Sequence, residues 1–151
     1  MSVVVEVVER VTAELVEAFG RLLPQLSSGA KPLDEEALVR IVGCETNRVL
    51  VARGDGGRIV GTLTLVVFPV PSGVRARVED VVVDAEARGQ GVAGELSRYA
   101  LGLAGEAGAR SVDLTSRPER AAANRLYERL GFERRESIVY RFTISAAGAA
   151  G

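Results

Sequence analysis

Val78-Glu79-Asp80-Val81-Val82-Val83-Asp84-Ala85-Glu86-Ala87-Arg88-Gly89-Gln90-Gly91-Val92-Ala93-Gly94 is the stretch on which the fold turns. Its first part is β-branched, and Val81-Val82-Val83 is apolar on both faces, as a strand in the middle of a sheet should be. A polar loop, Asp84 to Arg88, leads into a glycine-rich turn that opens a helix with Leu96, Ala100 and Leu103 on one face. Ser111 to Thr115 is the next strand, so residues 78–115 make a β-loop-α-β unit with a parallel crossover. The first amides of a helix have no intrahelical partner and sit at its positive dipole end. Glycines let that backbone approach a pyrophosphate closely, and Arg88 can add a charge-assisted contact. The competing reading of the same residues is a tight strand-to-helix turn without a ligand.

Upstream, Ser2 to Glu9 reads as a strand. Thr12 then caps an amphipathic helix carrying Leu15, Val16, Phe19, Leu22 and Leu23. Pro24 to Pro32 reads as a loop, and Asp34 with Glu35 and Glu36 starts a second helix that runs to about Gly43. Arg48 to Arg53 and Arg58 to Phe68 are strands joined by the hairpin residues Gly54-Asp55-Gly56-Gly57, and Pro69 to Gly73 turns the chain into the strand from Arg75 to Val83. Downstream, Pro118 precedes a helix from Arg120 to Leu130 that Gly131 stops, and Phe132 to Arg135 and Ile138 to Ile144 are expected to close the sheet. The predicted order is β-α-α-β-β-β-α-β-α-β-β. This is one α+β domain over residues 1–144 with a mixed, mostly antiparallel sheet flanked by helices, and a flexible Ala/Gly tail over 145–151.

Composition narrows the function. A length of 151 residues leaves room for one core and one site. With 19 basic against 20 acidic residues the net charge is −1, so no global field draws nucleic acid or anionic lipid. There is no His and one Cys, Cys44, which excludes His-based triads, the usual zinc ligand sets and an internal disulfide; no metal is expected, and Cys44 reads as a small buried or half-buried residue. The run Val3 to Val8 is charged at its midpoint without a basic leader, and no apolar stretch has membrane-spanning length. A soluble cytoplasmic protein without membrane or nucleic-acid partners is expected.

Gly89, Gly91 and Gly94 also spell G-x-G-x-x-G, with Asp113 at 19 residues beyond Gly94. In a dinucleotide fold, however, the first glycine follows the strand almost directly and the acid ends a strand, whereas here five residues intervene and Asp113 lies inside its strand. A phosphate-binding NTPase loop is excluded because the one lysine, Lys31, is far from any glycine run.

Arg88-Gly89-Gln90-Gly91-Val92-Ala93 after the strand Val78 to Val83 resembles the pyrophosphate loop Q/R-x-x-G-x-G/A of the GNAT superfamily of N-acetyltransferases. Asn124-Arg125-Leu126-Tyr127-Glu128-Arg129-Leu130-Gly131-Phe132 is similar to that family's N-x-x-Y-x-x-x-G-F segment. Residues 75–142 carry the resemblance. It implies acetyl-CoA as cosubstrate, no metal, and direct attack of a primary amine on the thioester in a ternary complex without an acyl-enzyme. It further implies cofactor contacts from Val81, Val82 and Val83, from Arg88, Gly89, Gln90, Gly91, Val92, Ala93 and Gly94, and from Asn124 and Tyr127. Gly94 departs from the longer polar residue the family often carries there.

Acetyl transfer needs a neutral amine, stabilisation of an oxyanion and a proton for the departing thiolate. Glu79 is the expected base because positions 77, 79, 81 and 83 of a regular strand share a face; Asp80 or a water is the alternative, and an acid that merely anchors Arg77 is the competing reading. Tyr127, three residues after Asn124 on one helical face, is the expected acid; otherwise it is core filler beside Leu126 and Leu130. The acceptor is an amine on a small molecule or a protein, with Arg75, Arg77, Arg117 and Arg120 either binding an anionic group on it or simply solvated. A non-catalytic acetyl-CoA-binding module or a nucleotide-binding module would be other uses of the same turn. Sheet edges and the apolar terminal strand offer a surface for a homodimer.

Overall fold

The computed structural model describes residues 2–29 and 31–145, and the chain forms two compact units, 1–117 and 118–151. Of the expected Ala/Gly tail, residues 146–151 lie outside the described residues. The first unit runs β1 (Val4–Val7), α1 (Ala13–Leu26), α2 (Glu35–Gly43), β2 (Asn47–Arg53), β3 (Ile59–Val70), β4 (Gly73–Val83), α3 (Val92–Glu106) and β5 (Val112–Asp113). The second holds α4 (Ala121–Arg129). The sheet order is β1-β2-β3-β4-β5, with three antiparallel pairings and a parallel β4–β5 pairing reached through α3. No helix among the described residues is long and apolar enough to cross a membrane.

The helix starts follow from local chemistry. Thr12 Oγ1 accepts from the amide of Leu15 at 3.2 Å, and Asp34 Oδ1 accepts from that of Ala37 at 2.7 Å, each satisfying a first-turn donor. α1 runs through Pro24 to Leu26, correcting the loop expected from Pro24 onward. Proline removes one donor, and in the last turn of a helix that loss is small enough for packing on the apolar face to outweigh it. The turn before β3 uses Gly56 and Gly57 at φ of 75° and 80°, the left-handed region that glycine adopts without strain.

Strand alternation divides the core into two layers. Val51, Ile59 and Val82 pack with Leu15, Ala18 and Leu22 of α1. Leu50, Leu63, Leu65, Ala76 and Val78 pack with Val92, Leu96 and Ala100 of α3 on the other face. In β4 the alternation is broken by a bulge. Thr62 stands opposite Val82 and Thr64 opposite Glu79, so two residues, Asp80 and Val81, face Leu63 alone. Asp80 takes φ of +49°, the one positive value at a non-glycine position among the described residues. The expectation that residues 77, 79, 81 and 83 share a face is therefore corrected. Ala76 and Val78 face α3 before the bulge and Val81 and Val83 after it, while Val82 turns to α1. Alternation puts Arg77 and Glu79 on the α1 face.

The closing strands expected at Phe132 to Arg135 and Ile138 to Ile144 are not formed, and the element order ends at α4. A strand needs a neighbouring edge as well as a pattern. The C-terminal unit has no other described strand to supply one, and Glu133-Arg134-Arg135-Glu136 has no apolar face to hold a register.

Gly61 sets how closely α3 approaches the sheet. A Cβ there would stand 2.9 Å from Val92 Cγ1, 3.3 Å from Leu96 Cδ1 and 3.3 Å from the Val82 carbonyl oxygen. Gly61→Ala is expected to cost about 1–3 kcal/mol of overpacking, measured as a lower urea midpoint at unchanged m; an unchanged midpoint would show that α3 has slack at its first turn.

Candidate functional site

The first unit offers two sets of unpartnered backbone donors within one continuous stretch. β5 pairs with β4 only at Ala76–Val112 and Arg77–Asp113, after which the ladder ends. From Glu79 to Val83, β4 keeps its antiparallel partner β3 but has no ladder partner on its other side. The Asp84 amide donates to Val60 O at 2.8 Å, so alternation along the strand turns the amides of Val81 and Val83 toward the side that β5 has left. This supplies the missing ladder bonds that a buried strand needs if it is to present donors to a ligand.

The second set lies at the start of α3. Gly89 and Gly91 have φ of 78° and 82°, and Gly91 is the N-cap with no side-chain cap. The amides of Val92, Ala93 and Gly94 therefore point out of the helix end without an intrahelical acceptor. An ideal Cβ placed on Gly89 or Gly91 meets nothing within 4 Å, so it is the positive φ and not crowding that favours glycine at these positions. Arg88, Gly89, Gln90 and Gly91 are exposed, whereas Val92 and Gly94 are buried and fix the turn to the core. The chemistry of the turn's donors, backbone N–H with an exposed guanidinium, is that of a phosphate site.

The route into the turn is clamped by α1, a feature the sequence reading missed. Arg21 Nη1 donates to Asp84 Oδ2 at 3.1 Å and its Nη2 to Ile59 O at 3.1 Å, while Glu17 holds Nε at 2.6 Å. Gln25 Oε1 accepts from the Ala85 amide at 2.8 Å, and Asp84 Oδ1 caps the short turn through Glu86 N at 3.1 Å. Asp84 is buried and charged, and its partner lies 63 residues away, a separation at which no local pattern could disclose it.

Of the two carboxylates, Glu79 is the one engaged. Arg77 Nε donates to Glu79 Oε1 at 3.0 Å and its Nη2 to Thr115 Oγ1 at 3.3 Å, tying the last rung of the β4–β5 ladder to the segment just after β5. Asp80 is exposed, yet partial desolvation at the bulge pushes its carboxyl above the ordinary aspartate value, and the neighbouring Glu79 charge adds to the shift. Arg75 donates to Ser72 Oγ at 2.8 Å. Cys44 is exposed, correcting the buried or half-buried expectation. It follows α2 as its C-cap, where its Sγ lies 3.3 Å from Thr46 Oγ1, a contact that holds the thiol below its ordinary value. An open cleft of about 270 Å³ between β1 and the start of α1 includes Glu6 and Glu14 in its lining, but both are taken by Arg53, each at 2.8 Å.

In the C-terminal unit, Asn124 and Tyr127 lie one turn apart on α4, Asn124 half-buried and Tyr127 buried. The helix ends as expected at Gly131, whose φ is +102°. The Gly131 amide donates to Glu128 O and the Phe132 amide to Tyr127 O, both at 3.0 Å, the paired bonds of a Schellman closure. The rings of Tyr127 and Phe132 meet edge-on, with centroids 5.7 Å apart. Burial raises the phenol above its ordinary value, against a smaller downward pull from the Arg120 charge.

The sequence profile of the Acetyltransferase (GNAT) family matches residues 12–132. Among solved structures, a transcriptional regulator from Bacillus halodurans C-125 is 30% identical, with a TM-score of 0.76 over 93% of this chain and 100% of its own. A Trypanosoma brucei acetyltransferase is 27% identical, with a TM-score of 0.76 over 94% of this chain and 100% of its own. An aminoglycoside acetyltransferase from an uncultured soil metagenomic sample, in complex with sisomicin, is 19% identical and shares the fold with a TM-score of 0.82 over 95% of this chain and 96% of its own. No curated protein matches. With the profile spanning most of the chain and the α+β architecture shared, the chain belongs to the GNAT family and is an acetyl-CoA-dependent acetyltransferase.

Proposed function

We propose that the chain transfers the acetyl group of acetyl-CoA to a primary amine, on a small molecule or on a protein, by direct attack in a ternary complex in the cytoplasm. The observation that carries the reading is the uncapped, left-handed glycine turn at the head of α3, directly after a strand whose outer edge is open. Acetyl-CoA supplies the activated acyl group and a diphosphate. The amides of Gly89 to Gly94, including those of Gln90, Val92 and Ala93, hold the diphosphate with Arg88 beside them. The Val81–Val83 edge hydrogen-bonds the pantetheine arm and the carbonyl oxygen as negative charge develops on it. No metal takes part in this scheme.

The amine gives up a proton as its nitrogen bonds to the carbonyl carbon and the C–S bond breaks. Either Glu79 or Asp80 can take that proton, directly or through water. The geometry supports Asp80, because Glu79 already accepts from Arg77 and because a carboxyl with a raised pKa is a better-matched base near neutral pH. Asn124 contacts the cofactor in this scheme, and Tyr127 returns a proton to the thiolate. Burial keeps the Tyr127 phenol protonated across the working range, the state a donor needs. The sisomicin-bound neighbour makes polyamine sugars a natural first class of acceptor to try.

An acetyl-CoA-dependent thiol-release screen across aminoglycosides, small amines and peptide amines is expected to give turnover with at least one class; CoA binding without thiol release from any amine would leave a binding module instead. Gly91→Val, which forces a β-branched residue into the left-handed region at a cost of about 1–2 kcal/mol, is expected to weaken CoA roughly tenfold in calorimetry; unchanged affinity would remove the diphosphate from this turn.

Tyr127→Phe should lower kcat about 10²-fold with little change in the KM for acetyl-CoA, and an unaltered kcat would return Tyr127 to a packing role. For the base, activity requires the deprotonated carboxylate, so kcat/KM should fall as pH drops through a value above the ordinary aspartate range. Asp80→Asn should remove that limb and Glu79→Gln preserve it; the opposite pattern would assign the base to Glu79.

A further inference from the structure

Between β4 and the glycine turn, five consecutive amides each have an acceptor. The Asp84 amide donates to Val60 O at 2.8 Å, that of Ala85 to Gln25 Oε1 at 2.8 Å and that of Glu86 to Asp84 Oδ1 at 3.1 Å, while those of Ala87 and Arg88 donate to the carbonyls of Asp84 and Ala85 at 2.8 and 3.5 Å. From Gly89 to Gly94 no amide has an acceptor among the described residues. The change from filled to open donors is abrupt, and the filled side is held from α1 by residues that lie 60 and 63 positions earlier in the chain.

Arg21 and Gln25 fall one turn apart on the same face of α1. Gln25 Nε2 donates back to Arg21 O at 3.2 Å, which orients the side-chain amide so that its oxygen meets Ala85. Arg21 stands where the β3–β4 ladder runs out. Beyond the bond from Asp84 N to Val60 O, its guanidinium adds one further link, with one nitrogen on Ile59 O and another on Asp84 Oδ2, both at 3.1 Å. The Asp84 carboxylate thus receives α1 on one oxygen and the loop amide of Glu86 on the other. A buried carboxylate this close in the chain to a set of anion-binding donors needs its charge matched, and Arg21 matches it.

We propose that Arg21 and Gln25 are positioning residues for acetyl-CoA: acting through Asp84 and Ala85, they hold the loop from which the glycine turn starts, so that the turn's amides are in place before the diphosphate arrives. Neither residue touches the cofactor in this scheme. The inference rests on the placement of the diphosphate in that turn. Donors ordered in advance cost a ligand less to engage, whereas a loop released from α1 would have to be ordered by the ligand itself. Arg21 also offsets the repulsion that the Asp84 charge would otherwise exert on a diphosphate.

Calorimetry with CoA on the full chain tests this. Gln25→Met keeps the length and helix preference of the side chain but lacks the acceptor, and is expected to weaken CoA about three- to tenfold, the range for one lost hydrogen bond. Arg21→Met should weaken it further, and Arg21→Lys, which keeps the charge without the two-way fork, should fall between Arg21→Met and the unsubstituted chain. If Arg21→Met does not fold, Gln25→Met, at an exposed contact, carries the expectation. A double-mutant cycle with Gly91→Val gives the readout that a packing role would not move. Once the turn itself is spoiled, loss of the Gln25 contact should cost CoA little more, so the two effects fall short of additive. Additive effects would overturn the proposal, as would unchanged CoA affinity in Gln25→Met where Gly91→Val weakens it. Unchanged affinity in Gly91→Val would overturn the placement of the diphosphate, and this inference with it.

Discussion

The parallel ladder between β4 and β5 has two rungs, Ala76 with Val112 and Arg77 with Asp113, and its early end is the constraint that the first unit is arranged around. A strand that loses a neighbour halfway along normally frays or twists away, because its amides then seek water. β4 does neither. β3 pairs with it from Gly73 to Val83, and apolar layers press on both of its faces, α1 on Val82 and α3 on Val78. The amides of Val81 and Val83 on its other edge are thereby held in place. In the proposed scheme that edge is the one the cofactor meets, and the surrounding core keeps it from fraying.

The bulge at Asp80 belongs to the same arrangement. One extra residue reverses which face each later side chain takes, so Val81 and Val83 join the α3 layer that Val78 left. It also puts an aspartate at φ of +49°, where a side chain other than glycine is strained by on the order of 1 kcal/mol or more. Strain of this kind persists only where the surroundings over-determine it, and here the paired residues on either side do so. The Arg21–Asp84 pair beyond the strand works in a comparable way. A partly buried ion pair adds little net stability, since desolvation cancels much of its attraction. Its directional bonds to Asp84 and to Ile59 O do, however, fix where the chain leaves β4, and so where the glycine turn begins.

Elements set by local chemistry were legible in the sequence. Thr12 and Asp34 cap the helices expected of them, Gly131 ends α4 at positive φ, and the parallel crossover from Val83 through α3 to β5 follows from the order of its parts. The glycine turn before α3 was legible for the same reason, because Gly89 and Gly91 take the positive φ that glycine adopts without strain. What could not be read depends on partners distant in sequence. Nothing local in Glu79-Asp80-Val81 announces a bulge, since its position is fixed by register with Thr62 and Thr64. Likewise Arg21 gives no sign that its partner is Asp84, nor Arg77 that it reaches Thr115. The closing strands failed from the opposite cause: Ile138 to Ile144 has the period of a strand, but a period cannot supply the neighbour.

Tyr127 has a structural role that is compatible with the chemical one proposed for it. The spacing from Tyr127 to Gly131 and Phe132 is what a Schellman closure requires: the residue three positions before the helix cap receives the amide bond, and the residue after the glycine packs back upon it. Phe132 thus closes the helix and fixes the edge of the phenol ring in a single contact. A tyrosine held this way loses rotamer freedom before any ligand arrives, and a proton donor gains most from being positioned in advance. Core filler and general acid are therefore compatible descriptions of one side chain, because the burial that would mark Tyr127 as packing is also what keeps its hydroxyl protonated.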